Sequence, residues 1–364
     1  MKAAKIMAGV LAIVVCISVV CSAGEEKVAV QSPSVRKDVV TTATQRNLLD
    51  YLNPDGRTPD GLDNDINDTP ALQKALAAGP GIVLIPAGFY RFGNVTIPEG
   101  VTFVGTGPAT VLRLAKGAKR IFIQKGVNNW RLRDLELDGE APEKDWAQRQ
   151  DLGQIGLEIT RCNGFEISGL VARNFSGAGI DLSSSPLNLL GISANIFNIT
   201  AIGNHTGIRF NTRAEYMNAA MLTCYCNVIG CAIHAGNVKI ANSDFSRNMI
   251  GMLIEDHQNG SHGTIANCLM NHNHQYALLA KDVRNGMAID NCCFFYGNIL
   301  MENCNGVSIT SGIISCNVKT VGKDANRIAG NYMKMQSWKS EFSPATIVKD
   351  NYSEKGMWNG NKQP

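Results

Sequence analysis

Four side chains able to hold an acid or move a proton recur on successive short segments of the chain: Glu158, Asp181, Arg209 and His234. Each lies between two apolar residues behind a glycine-rich start, as in Gly179-Ile180-Asp181-Leu182 and Gly207-Ile208-Arg209-Phe210. Alternation along an extended strand turns such a residue outward. The column continues as Leu253, Leu279 and Leu300, and a second column two residues along reads Thr160, Ser183, Asn211, Gly236, Glu255, Lys281 and Glu302. Neighbouring strands lie about 4.8 Å apart, so Asp181, Arg209 and His234 are expected to converge on one sugar unit. There an arginine fork would hold a uronate carboxylate and acidify the adjacent proton, and a neutral imidazole would remove it, which is the chemistry of β-elimination. Glu255 and Lys281 complete the expected catalytic set. Glu158, Asn211, Glu302 and Trp146 are the expected substrate contacts.

Paired carboxylates support a second chemistry. Hydrolysis of a glycoside needs two carboxyl groups about 5–5.5 Å apart for retention or about 6.5–9.5 Å apart for inversion. Glu158 and Asp181 fall one strand apart, and Glu255 and Glu302 two strands apart with Lys281 between them. Opposite charges on adjacent strands also stabilise a sheet by about 0.2–1 kcal/mol with no catalysis at all. A stripe of that kind could bind a glycan, or merely stiffen a displayed protein, so a non-catalytic role stands as the third reading.

Such columns require strands stacked in register, and the sequence supplies the repeat that stacks them. Ile240-Ala241-Asn242-Ser243, Ile265-Ala266-Asn267-Cys268 and Ile289-Asp290-Asn291-Cys292 place their asparagines 25 and then 24 residues apart. A period on this scale marks a solenoid, whose coils bury their apolar sides only by stacking. Leucine-rich repeats share the period, but their leucine lattice is missing, and residues 100–320 show no helix-period stretch. Further asparagines at 174, 204, 248 and 273 precede the strand starts, where a tight turn wants a residue tolerant of left-handed backbone. The fold class predicted is an all-β solenoid, a single-stranded right-handed parallel β-helix.

The amino-terminal part of the folded region reads differently. Thr69 is placed to cap a helix, Pro70 suits its first position, and Leu72, Ala75 and Leu76 share one face. Gly79-Pro80-Gly81 ends it, an apolar strand follows over residues 82–85, and Pro86-Ala87-Gly88-Phe89-Tyr90 turns the chain onward. With Val101-Thr102-Phe103-Val104-Gly105-Thr106-Gly107 behind it, residues 54 to about 110 resemble the amino-terminal signature of the pectate lyase superfamily, which includes rhamnogalacturonase- and epimerase-like proteins. The resemblance implies a β-helix plugged at its open amino-terminal end by the short helix, a polysaccharide or oligosaccharide substrate, and calcium or another cation as a helper of the chemistry. The family's polygalacturonase and epimerase motifs are missing. Ser261-His262-Gly263 and Glu255-Asp256-His257 are the nearest remnants.

The residues themselves point to no cofactor. Asp63, Asp65 and Asn67 alternate as in a calcium loop, but its sixth and twelfth positions hold Asp68 and Lys74 where glycine and glutamate belong. His272 and His274 flank Asn273 without an identifiable third ligand, and Cys224 and Cys226 lack the second pair of a zinc site.

The chain of 364 residues opens with Lys2 and Lys5, an apolar run over residues 6–20, and Cys21-Ser22-Ala23. This pattern predicts a signal peptide over residues 1–23, and hence a secreted or periplasmic protein; an uncleaved anchor is the alternative, although the run is shorter than a spanning helix wants. Residues 24–50 read as a polar lead-in. Residues 51–364 form the β-helix domain, with an amino-terminal cap to 100, coils over 101–320 and a carboxy-terminal cap over 321–364. Cleavage lowers the net charge from +3 to +1 by removing Lys2 and Lys5, too near neutral to imply nucleic acid. No membrane span is expected after cleavage, and a monomer is. Of the eleven cysteines nine remain, and Cys268 and Cys292 occupy one slot of successive repeats. A reduced, buried column is expected from them.

Overall fold

The computed structural model describes residues 44–183, 194–256, 261–323, 325–334, 340–354 and 356–358. All lie within one compact unit, Ala43–Pro364. The expected signal peptide, most of the expected polar lead-in, nearly all of the 183–193 loop and His257 lie outside the described residues.

Short strands stack into three sheets of fifteen, nine and six strands, in parallel except for the final pair, Asn351–Ser353 with Gly356–Trp358, and the chain visits the sheets in turn as it climbs. This is the right-handed parallel β-helix that the repeat predicts, of about 11 turns. The recurring phrase lands in register, Ile240 beside Ile265 and Ile265 beside Ile289. These isoleucines point into a continuous apolar core that also takes Phe103, Trp130, Phe165, Phe210, Phe245 and Phe294. Stacking is the physical reason for the fold: one coil exposes its apolar side at both ends, and only a neighbour covers it.

Of the four asparagines expected to take left-handed backbone, at 174, 204, 248 and 273, Asn174 does, with φ of 59°, and the other three do not. Asn242, Asn267 and Asn291 are left-handed as well, with φ of 52°, 56° and 51°. They form an exposed ladder in which Asn291 donates to Asn267 and Asn267 to Asn242, at 2.8 and 3.2 Å. Asn204, Asn248 and Asn273 instead turn inward and are almost wholly buried, and Asn227 joins them. Each accepts the backbone N–H of the preceding rung, at 2.8 Å from Asn204 to Asn227 and 2.9 Å from Asn227 to Asn248 and from Asn248 to Asn273. The left-handed positions beside them are Gly203, Cys226, Arg247 and His272. An inward amide satisfies turn N–H and carbonyl groups that water cannot reach, a stronger demand than backbone tolerance.

The helix spans Thr69–Ala77 and buries Ala71, Leu72, Ala75 and Leu76. Thr69 is its first residue, not its cap. Asp68 holds the cap position without a capping bond, and the Ala71 N–H is taken by Asn53 Oδ1 at 3.3 Å. Asp68 accepts from Asn53 Nδ2 at 3.1 Å and from the Arg91 N–H at 3.2 Å, which ties the helix to the first coil. Asp63 and Asp65 turn to Arg113 and Arg91. The lead-in does not extend to residue 50: Gln45–Asn47 pairs in parallel with Gly81–Leu84, and Leu48 is buried in the core.

Candidate functional site

The chemistry-bearing columns lie on the outer face of the nine-stranded sheet. Its strands begin with a column of glycines, Gly156, Gly179, Gly207, Gly230 and Gly251. A methyl group on Gly207 would lie 2.5 Å from the Gly230 carbonyl oxygen, and one on Gly230 2.6 Å from that of Gly251. Only glycine allows coils to close this tightly. The column ends at Ala277, and there the ladder slips: Tyr276 and Leu278 are paired with consecutive residues, Asn298 and Ile299.

This register fixes which groups are neighbours. The first outward column runs Glu158, Asp181, Arg209, Ala232, Leu253, Leu279, Leu300 and Lys319. His234 is not in it. The imidazole lies two residues along in the second column, where registry places it between Asn211 and Glu255. The expected convergence of Asp181, Arg209 and His234 in consecutive slots therefore does not form. The physical reason is Cys231, which is completely buried and fills the core position that a larger apolar residue takes in other coils. Aligning the coil on Ile233 and Ala235 instead shifts it by two residues.

Arg209 is committed to carboxylates. Its Nε and Nη2 donate to Asp181 Oδ2 at 2.9 and 2.6 Å, and its Nη1 donates to Asp151 Oδ2 at 3.2 Å. Asp181 is buried, and its Oδ1 has no partner at hydrogen-bonding geometry. Burial raises the Asp181 carboxyl above the ordinary aspartate range, against the opposing pull of Arg209 and Asn211. Burial works to lower Arg209, but Asp181 and Asp151 outweigh it and hold the guanidinium above its usual range. Asn211 uses its Oδ1 on the Thr212 N–H at 2.9 Å. Glu158 pairs with Arg120, whose Nη1 also donates to the Gly153 carbonyl at 3.1 Å. These bonds use three of Arg209's five donors and match its charge with two carboxylates, so the guanidinium does not present an open fork to a uronate.

Asp151 and His205 belong to this cluster and were missed in the sequence. Burial lowers His205, Asp151 opposes it, and Arg209 and Arg149 reinforce the fall. Asp151 stands in the 138–154 loop, away from any strand pattern. His205 directly precedes the strand Thr206–Phe210, and that adjacency to Arg209 was the one signal available.

The second column forms an open acid–base row. Glu255, Lys281 and Glu302 end three consecutive strands, and His234 lies beside Glu255 directly after the neighbouring strand Ile229–Ile233. His234 is buried, with Nδ1 3.3 Å from the Glu255 main-chain oxygen and 3.9 Å from its Oε2. The Ser261 hydroxyl donates to the same main-chain oxygen at 2.8 Å. Lys281 and Glu302 are half-buried, and among the described residues their side chains make no ion pair or hydrogen bond. Beside the row lies an apolar shelf of Leu253, Leu279 and Leu300, edged by Ile229, Ile250 and Tyr276.

Trp146 sits in the 3₁₀ turn Glu143–Gln148, half-buried, with its ring 5.8 Å from that of His274 and tilted by 44°. Glu143 bonds Arg173 at 3.0 Å and Gln154 accepts from the Ser176 hydroxyl at 2.9 Å. The loop thus follows the asparagine turn along one edge of the sheet and reaches over it at Asp151. His272 is exposed, and its ring lies 4.4 Å from that of Tyr296, tilted by 31°. Among the described residues no group of three or more His, Cys, Asp or Glu side chains is placed to hold a metal ion.

No family model matches the chain, and no curated protein matches its sequence. Solved structures share its fold. The tailspike protein of Escherichia coli bacteriophage HK620, solved with a pentasaccharide, aligns at 11% identity over 86% of this chain and 66% of its own, with a TM-score of 0.60. The catalytic unit of an α-1,3-glucanase from Streptomyces thermodiastaticus aligns at 14% identity over 86% of this chain and 70% of its own, with a TM-score of 0.58. The A-module of the Azotobacter vinelandii mannuronan C-5 epimerase AlgE4 aligns at 14% identity over 85% of this chain and 99% of its own, with a TM-score of 0.50.

Proposed function

We propose that this chain is an exported, carbohydrate-active β-helix that hydrolyses a glycan laid against the nine-stranded sheet, with Glu255 and Glu302 as its acid and base. The observation that carries this reading is the register of the second column: Glu255 pairs with Lys281 and Lys281 with Glu302. Two strand spacings separate the carboxylates by about 9.6 Å, and a slight lean of either side chain brings them into the range of an inverting pair. One carboxyl group would protonate the leaving oxygen while the other takes a proton from the water that attacks the opposite face of the sugar. Lys281 stands between them as a cation on the intervening strand. His234 positions Glu255 from behind. A glucanase, an epimerase and a tailspike solved with a pentasaccharide use the same architecture, which supports a glycan as the ligand.

β-elimination on a uronic-acid-containing glycan is the second reading. It is favoured by Lys281, an outward cation without an ion pair among the described residues, which would serve as the base. Arg209 and Asp181 then remain a supporting pair.

The test is to incubate the purified protein with acidic and neutral polysaccharides, following new reducing ends and the ultraviolet absorbance of unsaturated products in parallel. Reducing ends without unsaturation, lost in Glu302→Gln, are the expected result. Unsaturated product would replace hydrolysis with elimination. Binding without turnover on every substrate would leave the non-catalytic role, and full activity in both Glu255→Gln and Glu302→Gln would remove this column from the chemistry.

A further inference from the structure

The nine-stranded sheet carries a separate cavity of about 240 Å³ where it ends, lined by Tyr276, Asn298, Leu300, Asn317, Lys319 and Glu341. Glu341 adds a parallel bridge beyond the last strand at Lys319, and the two side chains meet at 2.8 Å. The ion pair walls one side. Tyr276 supplies a half-buried ring from the strand two places away, and Leu300 supplies the apolar floor. Asn317 Nδ2 donates to Asn298 Oδ1 at 3.4 Å, and Asn298 Nδ2 donates to the Gln275 carbonyl at 3.2 Å. An asparagine side chain has two donor hydrogens and two acceptor lone pairs, so these bonds leave Asn298 half of its capacity for a ligand.

We propose that this cavity binds one neutral monosaccharide unit of the glycan, next to the bond that is cleaved. The inference rests on the hydrolase reading above and extends it. An aromatic ring, an apolar floor and convergent amides suit a ring with one apolar face and a hydroxyl-lined edge. Lys319 is matched by Glu341, so the cavity offers no net charge to a carboxylate or a phosphate. Its placement follows from the chemistry. The line from Glu255 to Glu302 runs along the solenoid axis, so a sugar chain passing between acid and base runs along the strands. The strand between the two carboxylates is Tyr276–Lys281, so the next unit of the chain arrives over Leu279, roughly 7 Å from Lys281 at the usual rise per residue, with Leu300 one strand spacing to its side and Tyr276 ahead of it.

Calorimetric titration with α-1,3-linked glucose oligomers and mannuronate oligomers of increasing length tests the assignment on wild type, Tyr276→Ala and Asn298→Ala. Circular dichroism establishes that the variants are folded. Wild type should gain affinity for the glucose oligomers once they span both places, and each variant should lose about tenfold of that gain while keeping its affinity for the shortest oligomer. An unchanged length dependence in both folded variants overturns the subsite and leaves the reading of Glu255 and Glu302 standing. A gain confined to mannuronate oligomers overturns its neutral character. If wild type binds no oligomer of either kind, the subsite is overturned, and the polysaccharide screen alone decides the reading of Glu255 and Glu302.

Discussion

Arg209 holds Asp181 by one oxygen only: Nε and Nη2 both donate to Oδ2, at 2.9 and 2.6 Å, and Oδ1 is left buried without a partner. A pair made this way anchors the coil more than it invites a substrate. Its consequences can be measured.

Removing the cation strands a buried carboxylate. Arg209→Ala should cost about 3 kcal/mol of stability, the lower end for breaking a buried pair. Denaturant unfolding measures the loss. Turnover per folded molecule should be retained, and a folded variant with turnover reduced by about 10²-fold would return Arg209 to the catalytic set.

Asp181 sets a pH dependence. Its carboxyl is raised above 3.8, the value of a free aspartate, with burial as the leading cause. A group whose folded pKa is raised contributes stability that is complete below the unfolded pKa and lost as pH rises through the folded value. Asp181→Asn cannot titrate. The unfolding free energy of wild type minus that of the variant should therefore fall as pH rises out of the acid range towards neutral. A difference that grows with pH would mean that Arg209 outweighs burial.

The two asparagine ladders should respond unequally. Asn248 makes bonds to Cys224, Ser246 and Asn273 and receives the Asn227 N–H, all in the interior. Asn248→Ala strands several of these groups at about 1–3 kcal/mol each, so a total of at least about 3 kcal/mol is expected. Asn267→Val puts a β-branched residue at φ 56° on the exposed ladder, where about 1–2 kcal/mol follows. Melting curves of the two variants decide the order.

Glu302→Gln keeps the shape of the second column and removes one proton-transfer group. A fall in kcat of at least about 10²-fold with unchanged melting temperature is expected. Steady-state kinetics on the substrate found by the polysaccharide screen provides the measurement.

The sequence by itself determined the architecture. A 24- to 25-residue period of β-branched runs, glycines and asparagines leaves a parallel solenoid as the way to bury Ile240, Ile265 and Ile289. The helix at Thr69–Ala77 was also legible, from Pro70 and the shared face of Leu72, Ala75 and Leu76. Most of the outward columns followed from period-two alternation. The neighbours of each charge did not. Cys231 could be read as core or not, and that single ambiguity moved His234 by two residues, out of line with Arg209. Asp151 reaches Arg209 from a loop with no periodicity, and Asn53 caps a helix 18 residues further along the chain. A repeating pattern specifies which face a residue occupies, because the peptide geometry is local. Which partner it meets depends on register between coils and on loops that return from elsewhere, and only the tertiary structure decides that.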